Sequence, residues 1–348
     1  MSIVECLQQF YSDSALIYFR LLIALALLGL LAAAGYAGWY VCSPMYFAAT
    51  RVEVEIPPGS GFRAVAGRIA QAGVELRPLQ FEILARALGR DQDIKAGFYE
   101  LAAPMTPWQL LDKLARGEVL QSELQVIEGW TLGDFRAAIG ASPALRHDTA
   151  GLSDAELLKR IDASETHAEG LFFPDTYIFA RGSSDLALLR HAYRTMQLHL
   201  GREWLQRAAA LPYKTRYEAL IMASIVEKET GRAEEREQIA GVLVNRLRVR
   251  MPLQADPTVI YGLGERFDGN LKKAHLKTDG PYNTYPRAGL PPTPIALPGL
   301  ASLRAATRPA QIDALYYVSR GDGSSQFSRT LREHNRAVSR YQLKPRRR

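Results

Sequence analysis

Two glutamates, Glu227 and Glu229, close a run of apolar and small residues in the stretch IMASIVEKETGRAEEREQIAGVLVNRL at positions 221–247. From Tyr217 to Val226 the pattern is that of a helix buried on all sides, and Gly231 is a suitable residue for ending it near Thr230. Both acids then fall in the last turn, where the carbonyl end of the helix dipole repels negative charge and burial opposes ionisation. Each effect raises a carboxyl pKa towards the value a general acid needs near neutral pH. Two positions along a helix are ~200° apart, so the two acids face different ways. Glu229 continues the stripe of Met222, Ile225 and Val226, whereas Glu227 lies below Ala223 and Ser224, and this geometry favours Glu229. The acids beyond Gly231 (Glu234, Glu235 and Glu237) are expected in the first turn of the next helix, close to solvent, where negative charge suits the dipole.

Other chemistries find little support. The six histidines (His147, His167, His191, His199, His275, His334) lack metal-ligand spacing, and no metal or cofactor is expected. There is no G-x-S-x-G elbow and no phosphate-cradling glycine loop with its lysine. The loops LQADPTVIYGLG and DGPYNTYPRAGLPPTP carry tyrosines that can stack on sugar rings, and Asn, Asp, Gln and Thr that can bond their hydroxyls. Turn formation explains the same residues equally well.

The elements needed to position these groups can be read along the chain of 348 residues, 47% of them hydrophobic. Residues 21–41 carry no charge, end in Tyr36, Trp39 and Tyr40, and are long enough for one transmembrane helix. They exceed the apolar core of a cleaved signal peptide. Arg20 precedes the span and the next basic residue is Arg51, so the N-terminal segment (1–20) is expected in the cytoplasm and the rest outside it. Cys6 and Cys42 fall on opposite sides of the span and cannot pair within one chain. Residues 50–140 read as a small α+β module of strand, turn and helix units, with capping boxes at Thr106/Gln109 and Thr131/Asp134. Residues 141–342 read as a mixed α+β domain, mostly helical at first, with a further capping box at Ser153/Glu156, then rich in proline and glycine from 252 to 298, then a strand at ALYYVS and a terminal helix. The net charge of +7 owes much to Lys344, Arg346, Arg347 and Arg348 in a basic tail (343–348), so nucleic-acid binding is not expected.

VEKET, VLVNRL, LQADPTVIYGLG, YNTY and GLPPTPIALPG, with EGLFFPDTYIF, AGFYEL and VIEGWTL upstream, resemble the endolytic murein transglycosylases, the MltG or YceG-like family. The resemblance covers nearly everything beyond the apolar segment. It implies a bitopic inner-membrane protein with a LysM-like module and a periplasmic catalytic domain. The implied reaction cuts the β-1,4 bond from N-acetylmuramic acid to N-acetylglucosamine within nascent glycan strands, leaving 1,6-anhydro-muramyl ends. The second Glu of E-K-E-T, Glu229 here, is the implied catalytic residue, with Glu227 next to be tested. Gln254, Asp256, Tyr282, Asn283 and Tyr285 are the expected sugar-binding set, with Asn245 in support. Penicillin-binding proteins or other cell-wall synthases are the partners the resemblance implies. Two other readings stay open: a glycan-binding scaffold with inert glutamates, and a two-carboxylate muramidase in which Asp256 assists Glu229.

Overall fold

The computed structural model describes residues 3–229 and 231–343. Thr230 and nearly all of the basic tail lie outside the described residues. The chain has a mixed α+β architecture and divides into two compact units, Met1–Gln121 and Ser122–Arg348.

The first unit opens with one long helix, α1 (Ile3–Cys42), whose part Arg20–Cys42 is long and apolar enough to cross a membrane and is not buried by the rest of the chain. Then follow β1 (Arg51–Ile56), α2 (Phe62–Gln71), α3 (Pro78–Ala87), β2 (Gly97–Ala102) and α4 (Pro107–Arg116). Strands β1 and β2 pair antiparallel, Arg51 opposite Ala102 and Ile56 opposite Gly97. Period-two alternation sends Val54 and Ile56 to the same face as Tyr99 and Leu101, where α2, α3 and α4 bury Val65, Ile69, Phe81, Leu110 and Leu114 against them. Helix α4 starts as its sequence requires. Thr106 accepts from the Gln109 N–H, Gln109 caps back, and Gly117 ends the helix in the left-handed region at φ 70°.

The second unit contains most of β3 (Gln121–Gln125), then α5 (Leu132–Ala141), β4 (Leu145–Arg146), α6 (Asp154–Arg160), β5 (Thr176–Ala180), β6 (Ser183–Ser184) and α7 (Asp185–Leu205). After these come α8 (Arg216–Glu229), α9 (Arg236–Arg248), α10 (Asp256–Leu263), α11 (Lys273–Lys277), α12 (Leu300–Thr307), β7 (Tyr316–Ser319), β8 (Ser325–Ser328) and α13 (Leu331–Val338). The sheets are all two-stranded pairs, β3 with β5, β4 with β6 and β7 with β8. The capping boxes at Thr131 and Ser153 form as their spacing predicts. The VIEGWTL segment and α5, grouped by sequence with the small module, pack instead in the second unit. The reason is aromatic: Phe135 on α5 meets Phe172 at 6.0 Å and stacks near Tyr177. The proline- and glycine-rich region is also less irregular than its composition suggests, since Pro257 opens α10 at a position where a missing N–H costs nothing.

Helix α8 is the axis of this unit. Every residue from Ala219 to Val226 is buried, as the all-apolar run predicts, with α9 and α12 packed against it. Within that run the Ser224 hydroxyl donates to the Ile221 carbonyl at 2.8 Å and accepts from the Ile295 N–H at 3.0 Å. That bond fixes the PIALPG loop to the helix. Ser224→Ala leaves the buried Ile295 N–H without its acceptor and is expected to cost about 1–3 kcal/mol. A urea titration of the variant reads the loss as a lower midpoint at unchanged slope.

Candidate active site

The end of α8 turns its two carboxylates to different tasks. Glu227, its side chain 6% exposed, accepts the Gly299 N–H at 2.9 Å and pairs with Arg236 at 3.4 Å. The same turn is bound from a third side, where Lys228 Nζ donates to the Gly129 carbonyl at 3.1 Å. The Gly129 N–H bonds the Leu297 carbonyl and the Leu297 N–H bonds the Trp130 carbonyl, so EGW and PIALPG are joined to each other as well as to α8. Glu227 is a clamp for the loops around it.

Glu229 faces the other way and meets Tyr317 of β7, whose hydroxyl donates to Oε2 at 2.8 Å. Its carboxyl is enclosed although the residue keeps some exposed surface. Burial pushes its pKa up from the usual carboxylate range to about 7; the Tyr317 hydrogen bond opposes that rise, the negative charge of Asp256 adds to it, and Arg246 opposes it. A cleft of about 360 Å³ opens beside it, with Arg246, Gln254, Asp256, Tyr285, Tyr317 and His334 among its lining residues.

Arg246 of α9 builds the cleft. Buried to 7% exposure, it donates from Nε to the Leu315 carbonyl at 2.7 Å and from Nη1 to the Leu253 carbonyl at 2.8 Å, and lies 5.3 Å from the centre of the Tyr316 ring. One guanidinium thus ties the approach to β7, which carries Tyr317, to the loop that carries Gln254. Gln254 itself adopts φ 50°, a left-handed conformation costly for a residue with a Cβ, and accepts from Arg246 at 3.3 Å. Its N–H bonds the Thr284 carbonyl, and the Thr284 hydroxyl accepts the Ala255 N–H and pairs with Thr258. Asp256 starts α10 and accepts the Tyr285 hydroxyl at 2.5 Å. Burial first, and that carboxylate second, hold the Tyr285 hydroxyl protonated.

The structure therefore brings Glu229, Gln254, Asp256 and Tyr285 to one cleft. It places the other three expected residues differently. Asn283 is buried, donating its amide to the His275, Leu276 and Thr278 carbonyls and accepting the Tyr285 N–H, which is a loop-forming task. The Tyr282 hydroxyl pairs with Thr293 and its ring packs edge-on against Tyr261, away from the cleft lining. Asn245 donates to the Ile312 and Ala314 carbonyls and so fixes the segment entering β7. Tyr317 and Arg246 are the site residues that sequence reasoning missed. For Arg246 a signal existed, a charge inside the apolar VLVNRL stretch. The expectation for Glu235 needs correcting too. It is buried, in a short 3₁₀ turn (Ala233–Glu235) ahead of α9, because its carboxylate accepts the Ser325 N–H at 2.8 Å.

Residues 54–340 match the profile of the YceG-like family, and the chain belongs to that family. The motif resemblance is thereby confirmed. Among its relatives, the chain is similar to the endolytic murein transglycosylase of Bacillus subtilis strain 168, 31% identical over 314 residues, 84% of this chain and 85% of the relative. It is 29% identical over 356 residues to the protein of the same name from Streptococcus pneumoniae D39, spanning 90% of this chain but only 64% of that longer relative. Its fold is similar to the crystal structure of a YceG-like protein of Listeria monocytogenes, with a TM-score of 0.52 and 30% identity over 82% of this chain and 98% of that one.

A carboxyl whose pKa rises on folding ties stability to pH. The folded value for Glu229, about 7, exceeds the unfolded 4.5, so the native state binds the proton more tightly and stability falls as pH rises between those values. Glu229→Gln escapes this loss. Its melting temperature is expected to exceed the parent's at about pH 8, by an amount equivalent to about 1–3 kcal/mol, and to converge with it near about pH 4.5. A difference that does not change with pH would refute the assignment of a buried, proton-holding carboxyl.

Proposed function

We propose that the chain is a membrane-anchored endolytic peptidoglycan lytic transglycosylase. The observation that carries this reading is the Glu229 carboxyl, set at the buried end of α8, bonded to Tyr317 and opening on a polar cleft. The family supports it, through relatives named endolytic murein transglycosylases. Protonated Glu229 donates to the oxygen linking C1 of N-acetylmuramic acid to C4 of N-acetylglucosamine, and that bond breaks. The 6-hydroxyl of the muramic ring attacks C1 from within the substrate, and the Glu229 carboxylate accepts the hydroxyl proton. No water is consumed, and the product is a 1,6-anhydro end. Tyr317 holds the carboxylate between the two half-reactions, while Gln254, Asp256 and Tyr285 supply polar contacts for the sugar and for the positive charge developing at C1.

In this reading α1 is a single-pass anchor in the bacterial inner membrane with its N-terminus in the cytoplasm. The first unit beyond α1 serves as a LysM-like glycan-binding module, the second unit is the periplasmic catalytic domain, and the cell-wall synthases that make nascent strands are the expected partners. A second reading draws on one observation, that Asp256 shares the cleft with Glu229. A water activated by Asp256 would turn the same site into a muramidase.

Mass spectrometry of peptidoglycan digested by the purified full-length protein separates the two. Anhydro ends, lighter than reducing ends by one water, are expected; reducing ends establish the second reading, and no cleavage removes both. Glu229→Gln is expected to lower cleavage by at least about a hundredfold, the scale of general acid–base catalysis. Because the first step needs the protonated carboxyl, kcat/KM is expected to fall about tenfold per pH unit above about pH 7. A profile flat to about pH 9 would rule out Glu229 as the acid.

A further inference from the structure

The first unit presents an unusual surface where the apolar helix joins the small module. The junction after Cys42 is pinned rather than free: the Met45 N–H bonds the Met105 carbonyl at 2.8 Å, the Glu75 N–H bonds the Tyr46 carbonyl at 2.8 Å, and Phe47 is buried in the module's core. The helix end itself touches the module, since Gln80 Nε2 on α3 donates to the Tyr36 hydroxyl at 3.1 Å. Between them lies a cleft of about 390 Å³ lined by Tyr36, Trp39, Tyr40 and Tyr46 with Arg77 and Gln80. Two polar atoms enclosed there, Tyr40 Oη and Gln80 Oε1, have no hydrogen-bond partner in the described chain.

Around this cleft the module exposes side chains that water disfavours. Tyr46 is 70% exposed, Leu79 57%, Ile83 59% and Trp108 42%. Leu79 and Ile83 stand four apart on α3 and so share a face, next to Gln80 at the helix contact. Trp108 follows Pro107, one of the residues beside the cleft, and Arg90 lies 5.7 Å from its ring. The composition is aromatic and aliphatic with arginine, and Tyr46 joins it to the aromatic end of α1 by sharing the cleft with Tyr36 and Trp39.

We infer that this collar of Tyr46, Leu79, Ile83 and Trp108 is a lipid-contacting surface, which seats the small module in the headgroup layer of the bilayer that α1 crosses. Tyr and Trp favour that layer because one end of the ring stays apolar and the other finds polar partners. The level of the layer is set by Tyr36 and Trp39 at the end of the span, and the side chains sharing their cleft reach the same level. Lipid phosphate is a fitting acceptor for the exposed Arg77 guanidinium beside the cleft. Exposed apolar side chains at an interfacial face gain by leaving water, as an amphipathic helix does. Bilayer lipid is favoured over a protein partner because the surface adjoins, through Tyr46 and Gln80, a segment whose own exposed side chains suit hydrocarbon. The inference rests on the anchor reading of α1.

The test uses the full chain with Cys6→Ser and Cys42→Ser, reconstituted into phosphatidylethanolamine vesicles containing phosphatidylglycerol. One nitroxide-labelled cysteine at a time replaces Leu30, Leu79, Ile83, Trp108 or Leu205, and electron paramagnetic resonance reads collisions with oxygen, which dissolves in lipid, and with a water-soluble nickel chelate. Leu30 reports the span and Leu205, exposed on the second unit, reports water. An oxygen-to-nickel ratio several-fold higher at 79, 83 and 108 than at 205 is expected, together with loss of that excess at 108 when Leu79→Glu and Ile83→Glu are combined. If Leu30 is immersed while 79, 83 and 108 match 205, the collar is refuted and the anchor stands. If Leu30 is aqueous, the anchor reading falls and the collar with it. Labels shielded from both reagents would mean that protein covers the face, which also overturns the inference.

Discussion

The Glu229 carboxyl stands at the carbonyl end of a helix whose preceding residues, Ala219 to Val226, are all buried, and it is kept from water by strand β7 and the loop after α9. An isolated carboxylate in such a place is costly, which is why burial outweighs the Tyr317 hydrogen bond and the proton is held to about pH 7. Much of the second unit follows from this. Arg246 must be close enough to organise the cleft, yet engaged by carbonyls rather than paired with Glu229, because a direct ion pair would return the acid to the ionised form. Asp256 must be near, yet bonded to Tyr285.

Proton retention and fold stability thus oppose each other at one residue. The unit tolerates the conflict through bonds elsewhere in the same turn. Glu227 to Gly299, Lys228 to Gly129 and Ser224 to Ile295 hold the end of α8 in place from the sides that do not face the cleft. The left-handed backbone at Gln254 is a second local cost, offset by Thr284 and Thr258 beneath it. Both of these costs fall at the cleft, and hydrogen bonds to backbone at Gly299, Gly129, Ile295 and Ala255 are among the contacts that meet them.

Local rules made the elements legible. The capping boxes at Thr106, Thr131 and Ser153, the alternation of β1 and the buried run of α8 each depend on residues within a few positions of one another. The facing of Glu229 was legible for the same reason, since helical periodicity separates it from Glu227. Tyr317 was not, because its partner is 88 positions away and nothing in ALYYVS distinguishes the tyrosine that turns inward to a carboxyl from its neighbour. Asn283 and Tyr282 look like sugar ligands from composition, but asparagine in a turn readily serves its own backbone, and here it does. Sequence names the residue types a loop contains; only the closed loop decides which of them face outward.

The clamp and the acid being two residues apart on α8 has an evolutionary corollary. Helical rotation is ~100° per residue, so a single insertion or deletion between Ser224 and Glu227 would turn both carboxylates away from their partners. Substitutions can accumulate elsewhere in the helix one at a time, but its length upstream of the acid is frozen. The last turn of α8 therefore behaves as a fixed-phase register mark, and drift in loop length has to be absorbed in the segments that do not share this turn.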